Sequence, residues 1–404
     1  MNLEALESWF DSRIGLNFHK GQERLLEALE LLDHPERQFA SIQIAGTNGK
    51  GSTQAILGQL LLDQGYKVGA FTSPHLEDMR ERVRLNGHVL PLERLSQLAL
   101  RLQEVEAQMQ LGPLSYFELW TCVAFLYFAE EAVDVALLEV GIGGRHDATN
   151  VVESELALIT SIGLDHQELL GSSLTAIACE KAGIVNAEQE LLLGPLSADL
   201  LPVFEEEVAR FGNPIFRFGQ EFVWQDQTFW TNGLTLEELK LSLPGAYQRE
   251  NAALALMAAL RWARIRGQDL DLAQMRRSLE RVQWPGRLEL LAPGVYLDGA
   301  HNVPALERLV EFIKAQAWDT PIFLLGFLPR KNYQEMVAYL RQHLPHASYY
   351  LVPFDGGLED GSFLGLDRLE KGIATFIREE ERRPIFITGS LHFVGQVRKG
   401  WISE

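Results

Sequence analysis

The stretch "IQIAGTNGKGSTQAIL", residues 42–57, decides how the rest of the chain is read. An apolar run enters a glycine turn and a helical pattern leaves it. A phosphate cradle needs that order, because the helix N-terminus adds its dipole to the N–H donors of the loop. The usual loop is spelled G-x-x-x-x-G-K-[ST]. Here Gly51 follows Gly49-Lys50, so the hydroxyl arrives one place late at Ser52, and Ile44 stands where the leading glycine belongs. Gly49, Lys50, Gly51 and Ser52 are the candidate phosphate-binding residues, with Lys50 as the point charge for the β- and γ-phosphates. Ser52 or Thr53 is expected to open the helix as cap, Mg²⁺ ligand or both. A glycine turn capped by Ser52, with no ligand, is the plainer alternative.

Working outward, "FASIQIAG" (39–46) reads as a strand and "TQAILGQLLLDQGY" (53–66) as the helix after the loop. "KVGAFTSP", "VDVALLEVG" and "LALITSIG" read as further strands, and "FELWTCVAFLYFAEEA" and "SLTAIACEKAGIV" as helices. Strands that are apolar throughout and separated by helices imply a parallel sheet covered on both faces. Residues 215–243 look like hairpin material, with "TNG" as a turn. "RENAALALMAALRWARI" reads as a long amphipathic helix, and "QWPGRLELL" as a break. A second alternation follows through "VYLDGAHN", "PIFLLGF", "SYYLVPF" and "PIFITGS". The fold class expected is α/β: a phosphate-loop domain with a mostly parallel sheet over residues 1–285, then a smaller Rossmann-like domain over 286–404.

Composition sets limits. A chain of 404 residues accommodates two domains at about 100–200 residues each. Its net charge of -19 argues against a nucleic-acid partner, which would need a basic face to displace counterions. No apolar run reaches the roughly 18 residues of a membrane helix, and the acidic N-terminus does not read as a signal peptide. Cys122 and Cys179 fall in helical patterns and offer neither a disulfide framework nor metal spacing. A monomer acting on small molecules in the cytoplasm is the default expectation.

Polar residues at strand ends are the remaining candidates, since open α/β sheets bind ligands there. Glu139 ends "DVALLEVG", Ser73 follows the second strand and His166 follows the fourth in "GLDH". A hydroxyl, a carboxylate and an imidazole at one sheet edge could form a cation site. A glycine-rich turn, "GIGGRHDATN", with Arg145 and Asp147, follows one residue after Glu139. Lys181 in "CEKAGI" reads on its own as a solvated helix lysine. In the second domain Asp298 and His301 are expected exposed at a strand tip, and Arg287 could clamp a phosphate.

In order, "AGTNGKGST", "FTSPHL" with "ERVRLNG", "EVGIGGRHDATNV", "ITSIGLDHQELLG", "EKAGI", "LPGAYQRENAALA", "PGRLELL", "LDGAHN" and "TGSLHFVGQV" resemble the folylpolyglutamate synthase/dihydrofolate synthase family of the Mur ligase superfamily. The resemblance implies that G-T-N-G-K-G-S is that superfamily's own phosphate loop. It implies addition of L-glutamate to a pteroate or folate carboxylate, dependent on ATP and Mg²⁺, through an acyl phosphate. By resemblance, Gly49, Lys50, Gly51 and Ser52 hold the ATP phosphates, and Asn251, Arg287, Asp298 and His301 also contact ATP. Ser73, Glu139 and His166 would hold Mg²⁺. Lys50, His166 and Lys181 would be the catalytic set, with Lys181 a carbamate near a second metal ion. Ser115, Tyr116, Phe117 and Glu118, with His146, Asp147 and Ala148, would meet the pterin-bearing substrate. His146 stands where the family pattern suggests Leu, "DGAHNVPA" lacks a Pro directly after Asn, and "GFLPRKN" replaces an acidic loop. The alternatives are a chain-extending synthase alone, a cell-wall Mur ligase, or a nucleotide-binding module without ligase activity.

Overall fold

The structure is a computed structural model that describes residues 2–15, 21–329, 333–359, 366–369, 372–380 and 383–402. Arg330, Lys331 and Asn332 of the "GFLPRKN" loop lie outside the described residues. By contacts the chain divides into one unit of Met1–Pro74, Met79–Ser242 and Arg249–Val282 and a second of His75–Asp78, Leu243–Gln248 and Gln283–Glu404.

The first unit is built on β1 (Ser41–Ala45), β2 (Val68–Phe71), β3 (Val83–Leu85), β4 (His88–Val89), β5 (Val135–Glu139), β6 (Leu156–Ile159), β7 (Glu190–Leu193) and β8 (Ile215–Arg217). They form one sheet in the order β4-β3-β2-β5-β1-β6-β7-β8, parallel from β2 to β8 with β3 and β4 antiparallel at one edge. Every residue of β1, β5 and β6 is buried, as strands covered on both faces must be. One face is covered by the helix Tyr116–Glu130, apolar on all sides, with Leu3–Asp11, Glu23–Leu31 and Leu92–Glu106 around it. Trp120 is fully buried there and stacks on Phe10 at 4.5 Å. The helices Leu174–Ala182 and Leu201–Ala209 contribute to a core beside β6 and β7. The chain passes from β1 to β2 on one side and later from β5 to β6 on the other side of β1, so the C-terminal ends of β5, β1 and β6 form the switch point where such sheets take ligands. Register aligns those ends: Ile44 pairs with Glu139 and Ala45 with Ile159.

Three expectations change. The helix after the loop runs Lys50–Asp63, not 53–66, and its N-cap is Gly49 at φ 89°, without a side-chain cap bond. A left-handed glycine lets the loop turn straight into the helix, so Ser52 and Thr53 sit buried in the first turn and neither caps it. Residues 215–217 are no hairpin arm; they pair parallel with β7 as β8. The hairpins are β9 (Phe222–Gln225), β10 (Thr228–Thr231) and β11 (Leu234–Leu236), with Gly233 at φ 95° in the expected turn. The helix Tyr247–Ile265 is not amphipathic along its middle, since Asn251 through Ala259 are all buried.

The second unit is a six-stranded sheet of β12 (Glu289–Ala292), β13 (Val295–Leu297), β14 (Ile322–Leu325), β15 (Ser348–Leu351), β16 (Asp367–Arg368) and β17 (Ile385–Thr388), ordered β12-β13-β17-β14-β15-β16. All but edge strand β12 are parallel. Phe386 stacks between Tyr296 and Phe323 at 5.3 and 5.6 Å in its core. The α/β class, with a larger mostly parallel sheet and a smaller second sheet, is the one expected.

Candidate active site

The glycine turn of residues 46–49 is stitched to the segment after β6. Thr47 donates its N–H to the Ser161 carbonyl at 2.8 Å, and its hydroxyl exchanges bonds with the Gly163 backbone at 2.9 and 3.1 Å. Thr160 and Ser161 donate their hydroxyls to the Asn48 carbonyl at 2.6 and 3.0 Å. At Gly46, φ 146°, a Cβ would lie 1.9 Å from the Thr160 hydroxyl, and at Gly49 one would lie 2.5 Å from Asn251 Oδ1. Both positions therefore need glycine. Thr47, Asn48, Thr160 and Ser161 were not singled out from the sequence, although "GTN" and "ITS" place polar residues at two adjoining strand ends.

Two ammonium groups converge on this turn. Lys50 Nζ reaches the carbonyls of Gly46 and Thr47 at 3.1 and 3.3 Å, and Lys181 Nζ reaches the same Gly46 carbonyl at 2.8 Å. Lys181 is only 5% exposed, which corrects its reading as a solvated lysine. Its helix packs Ile177, Ala178 and Ala182 inward, and the side chain follows that face. Burial, reinforced by the charge of Lys50, brings the Lys181 amine down to about 7, against the pull of Asp165 and Asp147. Paired cations on one carbonyl leave positive charge that an anion would neutralise.

Glu139 is 4% exposed at the end of β5, and its Oε2 accepts the Ser73 N–H at 3.4 Å. His166 has left-handed backbone (φ 49°) and lies 4.0 Å from Asp165 Oδ1. Among the described residues no three His, Cys, Asp or Glu side chains cluster as a metal site. The expected set therefore rests on Ser73 and Glu139, which adjoin, and on His166 past the end of β6. Arg82, within "ERVRLNG", is buried over the Tyr116 ring at 5.0 Å and feels the charge of Glu139.

The expected pterin contacts have structural work of their own. Ser115 and Glu118 form a reciprocal capping box: Glu118 Oε2 accepts the Ser115 N–H at 2.7 Å, and Ser115 Oγ accepts the Glu118 N–H at 3.4 Å. Arg24 donates to the same Oε2 at 3.0 Å. The Ser-x-x-Glu spacing carries that signal by itself. Phe117 packs on Phe71 at 5.5 Å and leaves no room for a side chain at Gly141. The Asp147 carboxylate accepts the N–H groups of Gly141 and Ile142 at 2.9 and 3.1 Å and both donors of Thr149. Burial raises its pKa, and these four bonds pull against that rise. Its carboxylate shapes the turn after Glu139, and its carbonyl is taken by Gln22 at 2.7 Å. Ala148 is buried in the same turn, and His146 is exposed.

In the second unit Asp298 is buried, not exposed as expected. Its carboxylate accepts the N–H groups of Leu288 and Ala300, both at 3.0 Å, which closes the turn between β13 and the helix Val303–Ala315. Burial raises its pKa and Arg287 lowers it. Arg287 lies across Gly299, where a Cβ would come 2.2 Å from its Nη1. The His301 ring Nδ1 is 2.8 Å from the Gly299 carbonyl.

A glycine cradle on a parallel sheet, two converging lysines and a buried carboxylate at the neighbouring strand end define a phosphate-loop α/β enzyme. The protein-family model of the Mur ligase middle domain matches residues 44–259. The dihydrofolate synthase/folylpolyglutamate synthase of Bacillus subtilis (strain 168) is 35% identical over 97% of both chains. The folylpolyglutamate synthase of Lacticaseibacillus casei is 32% identical over 93% of each. A solved apo form of L. casei FPGS superposes with a TM-score of 0.89 at 30% identity over 100% of both chains. An FPGS–AMPPCP–folate complex gives 0.88 at 29% identity over 99% of each. The chain belongs to the dihydrofolate synthase/folylpolyglutamate synthase family of the Mur ligases, which are ATP-dependent ligases.

Proposed function

We propose that this chain adds L-glutamate both to dihydropteroate and to the glutamate tail of reduced folates, using ATP. The observation that carries the reading is the convergence of Lys50 and Lys181 on the Gly46 carbonyl, one strand from the buried Glu139. Glutamyl ligation requires that a carboxylate, a poor acyl donor, be activated first. An acceptor carboxylate oxygen bonds to the γ-phosphorus while the bond to ADP breaks, giving an acyl phosphate. The glutamate amine then attacks the carbonyl carbon, phosphate leaves, and the nitrogen loses a proton. Lys50 and the N-terminus of the helix it opens offset the phosphate charge, and the preorganised turn holds it in line.

Mg²⁺ fits the oxygen donors beside the turn, since this hard cation takes carboxylate and hydroxyl oxygens. Ser73, Glu139 and His166 would hold it. Bound there, the ion would neutralise the charge on the transferring phosphoryl group. Lys181, at about 7, is partly neutral near neutral pH, the form whose Nζ can bond to CO₂ and release a proton as it becomes a carbamate. Asn251, Arg287, Asp298 and His301 are assigned to ATP, and residues 115–118 and 146–148 to the pterin side, with Ser115, Glu118 and Asp147 acting mainly through the turns they hold. Residues 1–285 would form the ATP-binding domain and 286–404 the glutamate-ligase domain. Mg²⁺ dependence, a monomeric state and a cytoplasmic setting belong to the same reading. Among the described residues no helix is long and apolar enough to cross a membrane.

The relatives in Bacillus subtilis and Escherichia coli carry both activities in their names. The L. casei relative, at 32% identity, is named for chain extension alone, which keeps that narrower reading in view. Phosphate release with ATP, Mg²⁺ and L-glutamate, comparing dihydropteroate with tetrahydrofolate, separates the two. Turnover of both acceptors is the expected result. Turnover of tetrahydrofolate alone restricts the chain to extension, and turnover of neither rejects the reading.

A further inference from the structure

Gln54 lies one helical turn beyond Lys50 and is 2% exposed. Its amide nitrogen donates to two different strands: the Phe71 carbonyl of β2 at 2.8 Å and the Leu137 carbonyl of β5 at 2.7 Å. Its own oxygen is buried with no partner among the described residues. Filling space does not require this arrangement, because an unbranched apolar side chain would fill the same volume and bury no acceptor. Pairing the strands does not require it either, because β2 and β5 already share a parallel ladder from Val68 to Phe71. What the amide adds is a direct tie from the phosphate-loop helix to both strands. Phe71 precedes Ser73 by two residues, and Leu137 precedes Glu139 by two. Ser73 and Glu139 also meet each other, at 3.4 Å.

We infer that Gln54 is a positioning residue, which sets Ser73 and Glu139 against the phosphate loop so that cation and phosphates are held at one fixed spacing. The inference rests on the proposed function for what those two residues hold. It deepens that reading by naming the device that sets their distance from Lys50. Gln54 would touch neither nucleotide nor metal and would act through the two strands.

The test replaces Gln54 by Met, which keeps length and helix propensity but removes both donors. In the full chain, Q54M is expected to keep its KM for ATP within about twofold and to lose about tenfold to a hundredfold in kcat, as misplacement near one ångström does. The Mg²⁺ concentration for half-maximal rate should rise about tenfold, in line with loss of a group that orients metal ligands. Mn²⁺ binding to the ADP complex, followed by electron paramagnetic resonance without turnover, should weaken equally. A Q54M protein that melts earlier but matches the native chain in kcat and Mn²⁺ affinity overturns the inference, since Gln54 is then only packing. If Q54M does not fold, Q54E serves. Its acid can donate to one strand at most, so kcat and Mn²⁺ affinity should fall below those of the native chain. A folded Q54E protein with native kcat and native Mn²⁺ affinity overturns the inference. If the native chain makes no glutamyl product while Q54M still loses Mn²⁺ affinity, the proposed function fails and the inference stands.

Discussion

Lys181 departs far from the behaviour of its isolated side chain. Its amine titrates near 7 in the fold, against 10.5 for the free group. Between those values the unfolded chain binds a proton that the folded chain does not, so this group makes stability rise with pH from about 7 to 10.5. Below about 7 the penalty is fully developed, with a ceiling of about 5 kcal/mol at ~1.4 kcal/mol per unit. Replacing Lys181 with Met should therefore stabilise the fold most at pH 7 and progressively less towards pH 10. Thermal melts of both proteins in CO₂-free buffers check this, and a gain that does not vary with pH would contradict it. The sequence alone did not disclose this environment. A lysine in "CEKAGI" is spelled like a surface residue, and only the packing of Ala178 and Ala182 carries it inside. The loop residues were legible because their chemistry is local: glycine where φ is positive, lysine beside it. Asp298 was misjudged for the opposite reason, since its backbone partners Leu288 and Ala300 are brought to it by a turn that no spacing announces.

Among the elements, the strands read most plainly. Continuous apolar runs such as "VALLE", short and set between helical stretches, read as buried parallel strands, and β5 is one. Element edges depended on backbone detail. The loop helix begins at Lys50 because Gly49 adopts a left-handed cap, and residues 215–217 join the large sheet because their partner is β7, a tertiary choice. "SYFE" resembles a substrate contact, and its spacing also spells a helix start. Ser115→Ala should lower stability by about 0.5–2 kcal/mol, the range for a lost N-cap. If the hydroxyl acts only as a cap, KM for the pterin acceptor should change less than twofold, an effect of under about 0.4 kcal/mol. Denaturant unfolding and acceptor kinetics on the same variant separate the roles, and a tenfold rise in KM with unchanged stability would return Ser115 to the substrate.

At the scale of the whole molecule, composition bounded the class of protein and left the particular chemistry to the motifs. The net charge of -19, from 36 basic and 55 acidic residues, disfavours the compact state by self-repulsion. Salt shortens the reach of that repulsion from about 30 Å at 0.01 M to about 8 Å at 0.15 M. The melting temperature should therefore rise between those concentrations of an inert salt, and a flat or falling response would show the charges to be locally compensated. Two α/β units were expected from the alternation of strands and helices, and two compact units are present. The short excursions His75–Asp78 and Leu243–Gln248 into the second unit were not expected, because contacts across long sequence separations leave no local pattern.

The central claim is chemical: the phosphate loop and its neighbouring strand ends activate a carboxylate by phosphoryl transfer. Turnover of dihydropteroate labelled with ¹⁸O in its carboxylate, with ATP and L-glutamate, tests it directly. Mass spectrometry of the released phosphate should find one ¹⁸O atom for each glutamyl product formed. Glutamyl product accompanied by unlabelled phosphate would contradict the account.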